Sequence, residues 1–389
     1  MDSSAAAKAL DEARLLVAEL ESYDGTVEQH LSLLNRAHGV RAAMEGPYEI
    51  ATRWLENMSC GAAMNLLIRI GAFGMIPPGG SIAAQALASK CNVHASVITR
   101  AVRVLVANGI FLETGRDEYA HNQRSMAFDP TAGLGGFVGV CADIMHAWIT
   151  MPKYCSTHEP EDLYDTRKTP FAFTAGLEGM TYYEVLDTDP EQRGLWNLTL
   201  QNMAKNFPVV GMFPFQDLKA LEVQGSQERP YIVDVGGGRG QALLAIQEDY
   251  TLQSADIPGI KPMVYDIFTP QPIHGKYLER NAHAYLMRRL LHDFHDCEAI
   301  EILRNTASAM APDSRLLICD MLVPDKVKVD GPMTLYWLDF SLLAIGGKER
   351  SLAEFEHICG QAGLEIIQLY PSRGDNTIML ETRLQCQVD

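Results

Sequence analysis

The sequence predicts an α/β protein in which a Rossmann-like, mostly parallel sheet follows a helical N-terminal region. Residues 231–250, YIVDVGGGRGQALLAIQEDY, run from a short apolar strand through a glycine-rich turn into a helix. Strand signals then alternate with helical stretches over residues 262–320, a pattern typical of a sheet with helices on both faces. Residues 5–70, by contrast, carry apolar side chains at helical spacing.

The first predicted helices cover residues 5–20 and 48–70 and are amphipathic. They lie far along the chain from any other core signal, so their apolar faces need a partner surface. We expect that surface to come both from a second domain and from a second copy of the chain, which predicts a homodimer.

Residues 81–128 predict a winged-helix unit. Helical signals at 81–88, with Ser81 as the cap, and at 97–108 precede strand signals at 110–113 and 119–121. Such a unit either binds DNA or serves as a structural module. The formal net charge of −17 opposes binding to a polyanion, so we interpret the unit as structural.

Composition bounds the class of protein. A chain of 389 residues that is 47% hydrophobic and 21% charged is long enough for about two globular domains. The acidic balance disfavours nucleic acid and anionic membranes as partners, and neither a membrane span nor a signal peptide is expected. Eight cysteines without a C-x-x-C pair indicate free thiols in the cytoplasm rather than disulfides or a metal site.

The segment 133–229 is rich in aromatic residues and methionine. Most of these side chains must be core, but their density before a ligand-binding sheet also fits the wall of an apolar pocket for an aromatic small molecule. The polar His146 among them is either a buried core residue or a side chain that lines the pocket. The candidate pocket residues are His146, Trp148, Met203, Phe207 and, from the C-terminal part, Trp337.

The glycine turn after the first strand of the sheet predicts a ligand site. Dinucleotides favour G-x-G-x-x-G, which the chain matches poorly because Ala242 stands near the last glycine position. An acid at the strand end followed by glycines fits S-adenosyl-L-methionine better. Asp234 would meet the amino group of that ligand, and Gly236 and Gly238 would make room for its carboxylate end.

Polar residues follow successive predicted strands at Asp234, Asp266, His292 and Asp320. Ligands of a parallel sheet bind at the carboxyl ends of its strands, so we expect these side chains to share a crevice. A neutral imidazole suits the removal of a proton from a phenol or an acidic hydroxyl, which makes His292 the candidate base. A carboxylate beside it would orient the ring; the candidates are Asp320 and Glu349, the latter with exposed surface charge as its alternative interpretation.

Five motifs in order, DVGGGRG (234–240), YDIF (265–268), RRLLHDFHD (288–296), ICDM (318–321) and GGKER (346–350), resemble the plant caffeate-type and fungal secondary-metabolite O-methyltransferases of class I. The resemblance implies that His292 is the base, flanked by Asp320 and Glu349, and that Asp266 and Ile267 contact adenine. At the position of Arg288, that family usually has a lysine. The resemblance also implies a dimerisation domain over residues 1–130, a substrate-binding segment over 131–225 and a cofactor domain over 226–389.

The chain departs from that family after Tyr250, where a second strand ending in a ribose-binding acid is expected. Only a few residues separate Tyr250 from Pro258, too few for a strand, a turn and a helix. The sequence therefore leaves three interpretations open: methyl transfer to a phenolic or polyketide-like acceptor, a methyltransferase-like pericyclase or dehydratase, and a variant with impaired cofactor binding. The retained His292 favours the first.

Overall fold

The computed structural model describes residues 2–129, 133–203, 209–218, 230–249, 260–272, 282–329, 331–373 and 375–385. The chain divides into two compact units. The first contains residues 1–21, 36–158 and 170–206, and the second contains residues 22–35, 159–169 and 207–389.

Helices and a small antiparallel sheet make up the N-terminal part of the chain. The helices are α1 (Ser3–Glu21), α2 (Val27–Met44), α3 (Pro47–Arg69), α4 (Ala72–Met75), α5 (Ala84–Lys90), α6 (Ala95–Ala107), α7 (Gln123–Met126), α8 (Gly133–Thr157), α9 (Pro170–Ala175), α10 (Tyr182–Asp187) and α11 (Pro190–Met203). The strands are β1 (Ser81–Ala83), β2 (Phe111–Gly115) and β3 (Glu118–His121), in the spatial order β1-β3-β2.

The helix–helix–hairpin order predicted for residues 81–128 is present, with one correction. Ser81 does not cap a helix: it begins β1, which pairs antiparallel with β3 through Ser81 and Ala120, and α5 starts only at Ala84. The pairing partner lies about forty residues away, so it left no mark on the local pattern. Buried Phe73, Phe111 and Tyr119 anchor the core of this region.

The expectation that no segment has the length and hydropathy of a membrane span is wrong for α8. Residues Leu134–Thr157 form one helix with a mean hydropathy of 1.4 over its most apolar stretch. This helix packs against α3, α9 and α11 within the first unit, where Ile144, Ala147 and Tyr154 are buried. Core helices of globular domains share these properties, so the finding carries little weight for a membrane.

The second unit contains the predicted mixed sheet. Its strands are β4 (Ile232–Asp234), β5 (Ala284–Arg288), β6 (Arg315–Val323), β7 (Arg350–Ser351), β8 (Leu364–Pro371) and β9 (Thr377–Leu384), with α12 (Gln241–Asp249), α13 (Asp296–Ala307), α14 (Thr334–Ile345) and α15 (Leu352–Gln361). The order is β4-β5-β6-β9-β8, with β7 beside β6. β4, β5 and β6 are parallel, and β9 runs antiparallel to β6 and β8, which confirms the predicted fold class.

The strand predicted around residues 262–266 is wrong. Residues 261–266 contain no strand, and Val264 and Met263 are exposed. The run looked like a strand because it is apolar, but Pro262 has no N–H to donate. In the part of the sheet that the structure describes, β4 pairs only with β5. The proposed gap after Tyr250 falls outside the described residues.

Candidate active site

Three parallel strands carry their polar residues to one edge of the sheet. Asp234 ends β4 opposite Leu286 of β5, and Arg288 ends β5 opposite Cys319 of β6. Asp320 is the next residue of β6. The register therefore brings Asp234, Arg288 and Asp320 to one edge of the sheet. The strand-end argument named Asp234 and Asp320 but not Arg288, and Asp266, which it also named, follows no strand among the described residues.

Asp320 itself is not a strand end, which corrects the sequence analysis. β6 continues to Val323 because Met321 pairs with Thr377 of β9 and Leu322 pairs with Arg350 of β7. The carboxyl group of Asp320 is buried, and neither oxygen has a hydrogen-bond partner among the described residues. Burial raises the pKa of Asp320 to about 6, although the neighbouring charge of His292 acts to lower it.

The glycine turn after β4 is shaped around the carboxyl group of Asp234. A Cβ atom on Gly237 would overlap that group, and one on Gly236 (φ +71°) would lie 2.8 Å from Cδ1 of Leu290. Oδ2 of Asp234 is buried without a partner in the described part of the chain, and burial raises the pKa of Asp234 to about 7 while Arg288 opposes the shift. A buried carboxyl without a partner can receive a cationic group of a ligand.

His292 lies in a single 3-10 turn, Leu291–Asp293, directly after β5, and it is buried. Its Nδ1 atom is 3.0 Å from Oε1 of Glu349, whose side chain is fully buried. Burial and the nearby Arg289 act to lower the pKa of His292, but the charges of Glu349 and Asp293 outweigh them and the pKa is raised. Burial acts to raise the pKa of Glu349, but the attraction of His292 prevails and lowers it. The pair therefore favours an ionised carboxylate that accepts the Nδ1 proton.

The GGKER segment holds Glu349 in this position. Helix α14 ends at Gly346 (φ +95°), and a Cβ atom on Gly347 would overlap the carbonyl oxygen of His292. That close approach lets the Lys348 amide donate to the same carbonyl oxygen at 2.9 Å. The Glu349 amide donates to Oδ1 of Asp339 on α14 at 2.8 Å. The alternative interpretation of Glu349 as an exposed surface charge is therefore wrong.

The two residues assigned to adenine lie in the described segment of residues 260–272. Asp266 is exposed, and its Oδ1 accepts the Phe268 amide at 3.0 Å. Ile267 is half-buried and packs against the main core cluster of the second unit. Their contact with adenine stays a prediction.

The residues assigned to the acceptor pocket have different surroundings. In the first unit, His146 is exposed on α8, so it is not a core histidine, and Trp148 is half-buried. Met203 is the last residue of α11, and Phe207 lies outside the described residues. In the second unit, Trp337 is half-buried on α14, the helix that packs against the His292 turn. The role of each in acceptor binding stays a prediction.

Two arginines near His292 were not assigned to its surroundings by the sequence analysis. Arg289 adopts a φ of +49°, which is rare for a residue with a side chain, and its Nη2 atom is 3.7 Å from Oε1 of Glu349. Arg350 is buried beneath the His292 turn. The GGKER motif names Arg350, but no local pattern reveals that its side chain points inward. No group of three metal-ligating side chains occurs among the described residues.

The chain is similar to known O-methyltransferases in sequence and in structure. The family model described as "O-methyltransferase domain" matches residues 161–365. O-methyltransferase hmp5 of Hypomyces subiculosus is 35% identical over 83% of this chain and 84% of its own length, and O-methyltransferase kntB of Aspergillus niger is 30% identical over 88% and 85%.

Solved structures share the fold at lower identity. The crystal structure of OxaC in complex with SAH and oxaline has a TM-score of 0.81 at 24% identity and covers 98% of this chain and 100% of that chain. The structure of LepI in complex with SAM has a TM-score of 0.79 at 21% identity, with the same coverage.

Proposed function

Since this chain belongs to the O-methyltransferase family, with S-adenosyl-L-methionine as its cofactor, we propose that it methylates a hydroxyl group of a phenolic or polyketide-like small molecule in secondary metabolism, with His292 as the general base. The observation that carries the proposal is the buried pair of His292 and Glu349 at the end of β5. The fungal relatives are named O-methyltransferases, which supports an oxygen atom as the methyl acceptor.

The residues at the sheet edge fit the cofactor. Asp234 offers a buried carboxylate oxygen to the ammonium group, and Gly236 and Gly237 leave a surface on which any Cβ atom would collide with Leu290 or Asp234. When bound, S-adenosyl-L-methionine supplies an electrophilic methyl group on a positively charged sulfur. Arg288 lies near Asp234 and Asp320, where its charge limits the cost of burying their carboxyl groups.

The geometry of His292 suits general-base catalysis. Because ionised Glu349 accepts the Nδ1 proton, the lone pair of the neutral imidazole is on Nε2. In the proposed reaction Nε2 would take the proton of the acceptor hydroxyl, so that the acceptor oxygen could receive the methyl group that the bound cofactor would supply. Glu349 then stabilises the imidazolium. A base of this kind contributes about 10²- to 10⁴-fold, and the rest is positioning.

A second function, a pericyclase or dehydratase that binds the cofactor without transferring methyl, is favoured by Arg289. Its guanidinium group beside Glu349 is a cation that would polarise a substrate carbonyl. The structure called "A Pericyclic Reaction enzyme" shares the fold, with a TM-score of 0.80 at 21% identity. Such a reaction has no need of a base paired with a buried carboxylate, so methyl transfer is the better proposal.

We also propose a homodimer, acting in the cytoplasm. Helices α1 and α3 expose large apolar side chains at Leu10, Leu15, Val17, Leu20, Tyr48, Trp54, Leu55 and Met58. Large apolar side chains that recur on the exposed surface of two helices favour a protein interface. Sedimentation equilibrium of the full chain would give twice the monomer mass; a monomer at micromolar concentration would contradict the proposal.

The function is tested by titrating the full chain with S-adenosyl-L-methionine in a calorimeter and then adding orsellinic acid, caffeic acid or a catechol as acceptor. We expect saturable binding, followed by S-adenosylhomocysteine and a methylated phenol in mass spectrometry. Binding without S-adenosylhomocysteine for any hydroxylated acceptor would favour the pericyclase or dehydratase. Absence of binding would indicate a variant with impaired cofactor binding.

A further inference from the structure

Arg350 is a buried cation next to the pair of His292 and Glu349. Among the described residues, it makes no hydrogen bond to the side chain of either. It is 1% exposed, and its guanidinium group donates to Leu291, Phe294 and Asp296. Burying a guanidinium group destabilises the folded state unless its donors are satisfied, so the stability of the fold depends on the partners of Arg350. The partners explain what the side chain does there.

The acceptors of Arg350 lie on both sides of His292. Nη1 donates to the Leu291 carbonyl oxygen at 2.9 Å, and Nη2 donates to the Phe294 carbonyl oxygen at 2.8 Å. The 3-10 turn that carries His292 is only three residues long, and the Phe294 amide closes it by donating to the carbonyl oxygen of Leu291 at 3.2 Å. Nη1 of Arg350 adds a second donor to that oxygen. Arg350 therefore stabilises the turn from beneath and fixes the path of the backbone through His292.

An anchor on α13 fixes the guanidinium group in turn. Asp296 begins that helix, and its Oδ1 accepts from Nε at 3.0 Å and forms an ion pair with Nη2 at 2.9 Å. The planar guanidinium fork reaches one carboxylate and two carbonyl groups in different directions, which a lysine ammonium cannot do from a single point.

Two consecutive residues thus hold His292 in different ways: Glu349 accepts from the ring, and Arg350 donates to the backbone around it. We propose that Arg350 is a positioning residue that sets the distance between the His292 imidazole and Glu349. The inference rests on the proposed function only for its catalytic consequence, since the positioning itself is a property of the folded chain.

The test compares Arg350→Lys with Arg304→Lys, a matched control. Arg304 also donates two guanidinium N–H groups to a carbonyl group, that of Gln361, but it lies at the surface away from His292. The proteins are labelled with ¹⁵N-histidine, and His292 is identified by its missing signal in His292→Asn. Its imidazole pKa is read from the titration of the nitrogen shifts, without cofactor or acceptor.

We expect the His292 pKa to fall toward about 6.5 in Arg350→Lys and to stay at the wild-type value in Arg304→Lys. Methyl transfer should fall at least about tenfold in kcat for Arg350→Lys, with the KM for S-adenosyl-L-methionine unchanged. Equal His292 pKa values in the two folded variants would overturn the proposal. If Arg350→Lys does not fold, Asp296→Asn decides in its place, because it keeps both carbonyl contacts and weakens the anchor, together with the 3.8 Å ion pair between Asp296 and Lys348.

The two proposals fail separately. A His292 pKa that falls in Arg350→Lys, in a protein that methylates no hydroxyl, would contradict the proposed function and leave the positioning role intact. If the wild type transfers methyl and Arg350→Lys leaves the His292 pKa unchanged, the proposed function stands and the positioning role is contradicted.

Discussion

The two ends of the strand edge differ in whether the chain supplies a partner for the group that would act there. The imidazole ring of His292 is hydrogen-bonded to Glu349, and the carbonyl oxygen of His292 accepts the Lys348 amide. The carbonyl groups of Leu291 and Phe294, on either side of His292, accept from Arg350. The His292 end is not fully satisfied, because Oε2 of Glu349 and both carboxyl oxygens of Asp320 are buried without a partner among the described residues. At the glycine turn, Oδ2 of Asp234 is buried with no partner among the described residues, and the turn presents bare backbone.

This difference indicates which part of the reaction each region prepares before any ligand binds. The base is preorganised by the protein, so binding energy need not be spent to orient it. The cofactor end carries a desolvated acid whose ionised form needs a further cation, so the stability of the ligand-free protein and its affinity for the cofactor oppose each other. The variants that follow act on one end at a time.

The largest effect on the cofactor end is expected from Asp234→Asn. Affinity for S-adenosyl-L-methionine should fall about ten- to hundredfold, because a charge-assisted hydrogen bond is worth about 1.5–3 kcal/mol. Calorimetry measures this directly, with Glu356→Gln, an exposed carboxylate on α15, as the control.

The same variant should be more stable than the wild type without ligand. The folded-state pKa of Asp234 is raised to about 7, so its ionisation destabilises the fold as the pH rises from about 4 to 7. Asparagine removes that cost at pH 8, and the difference in Tm should vanish near pH 4. Unchanged affinity together with unchanged Tm at pH 8 would contradict the account of the cofactor end.

Glu349→Gln should act on the base end and leave cofactor affinity nearly intact. The amide oxygen still accepts from Nδ1 but no longer attracts the imidazolium, so the raised pKa of His292 should fall. His292 acts as a base only when neutral, so the acidic limb of the pH profile for methyl transfer should move to lower pH. The maximal rate should drop about tenfold or more, because the imidazolium formed during transfer loses its counter-charge. An unmoved acidic limb would count against the pairing.

Asp320→Asn should have the smallest effect on methyl transfer, because the structure shows a hydrogen bond from His292 to Glu349 and none to Asp320 among the described residues. Its main effect should be on stability. The pKa of Asp320 is raised to about 6, so ionisation costs stability above that pH, and the variant should gain about 1–3 kcal/mol in free energy of unfolding at pH 8. Urea denaturation at pH 8 and pH 4 measures the gain; a larger loss of methyl transfer than in Glu349→Gln would reverse the two roles.

The sequence predicts the parts of this site that depend on local pattern. The strand, turn and helix around Asp234 are recognisable because three glycines interrupt two different hydrophobic periods, and His292 follows an apolar run that becomes β5. Parallel strands then bring their ends together whatever lies between them, so the shared edge follows from topology alone.

The sequence does not predict the features of the fold and of the site that depend on contacts between distant residues. Ser81 belongs to a strand because Ala120 pairs with it, and β6 passes Asp320 because β7 and β9 pair beyond that residue. Residues near Val264 were predicted as a strand from their apolar run, although in the structure nothing shields them from solvent. Arg350 looks like a surface cation in sequence, and only the fold shows that its donors meet carbonyl groups 59 and 56 residues earlier.

The central claim, that His292 removes the acceptor proton, is tested most directly by His292→Ala. Cofactor affinity and the single-turnover formation of S-adenosylhomocysteine should be measured on the same preparation, with an acceptor that the wild type methylates. We predict that affinity stays within about twofold while the rate falls by about 10²- to 10⁴-fold. A variant that binds the cofactor normally and transfers methyl at the wild-type rate would contradict the account.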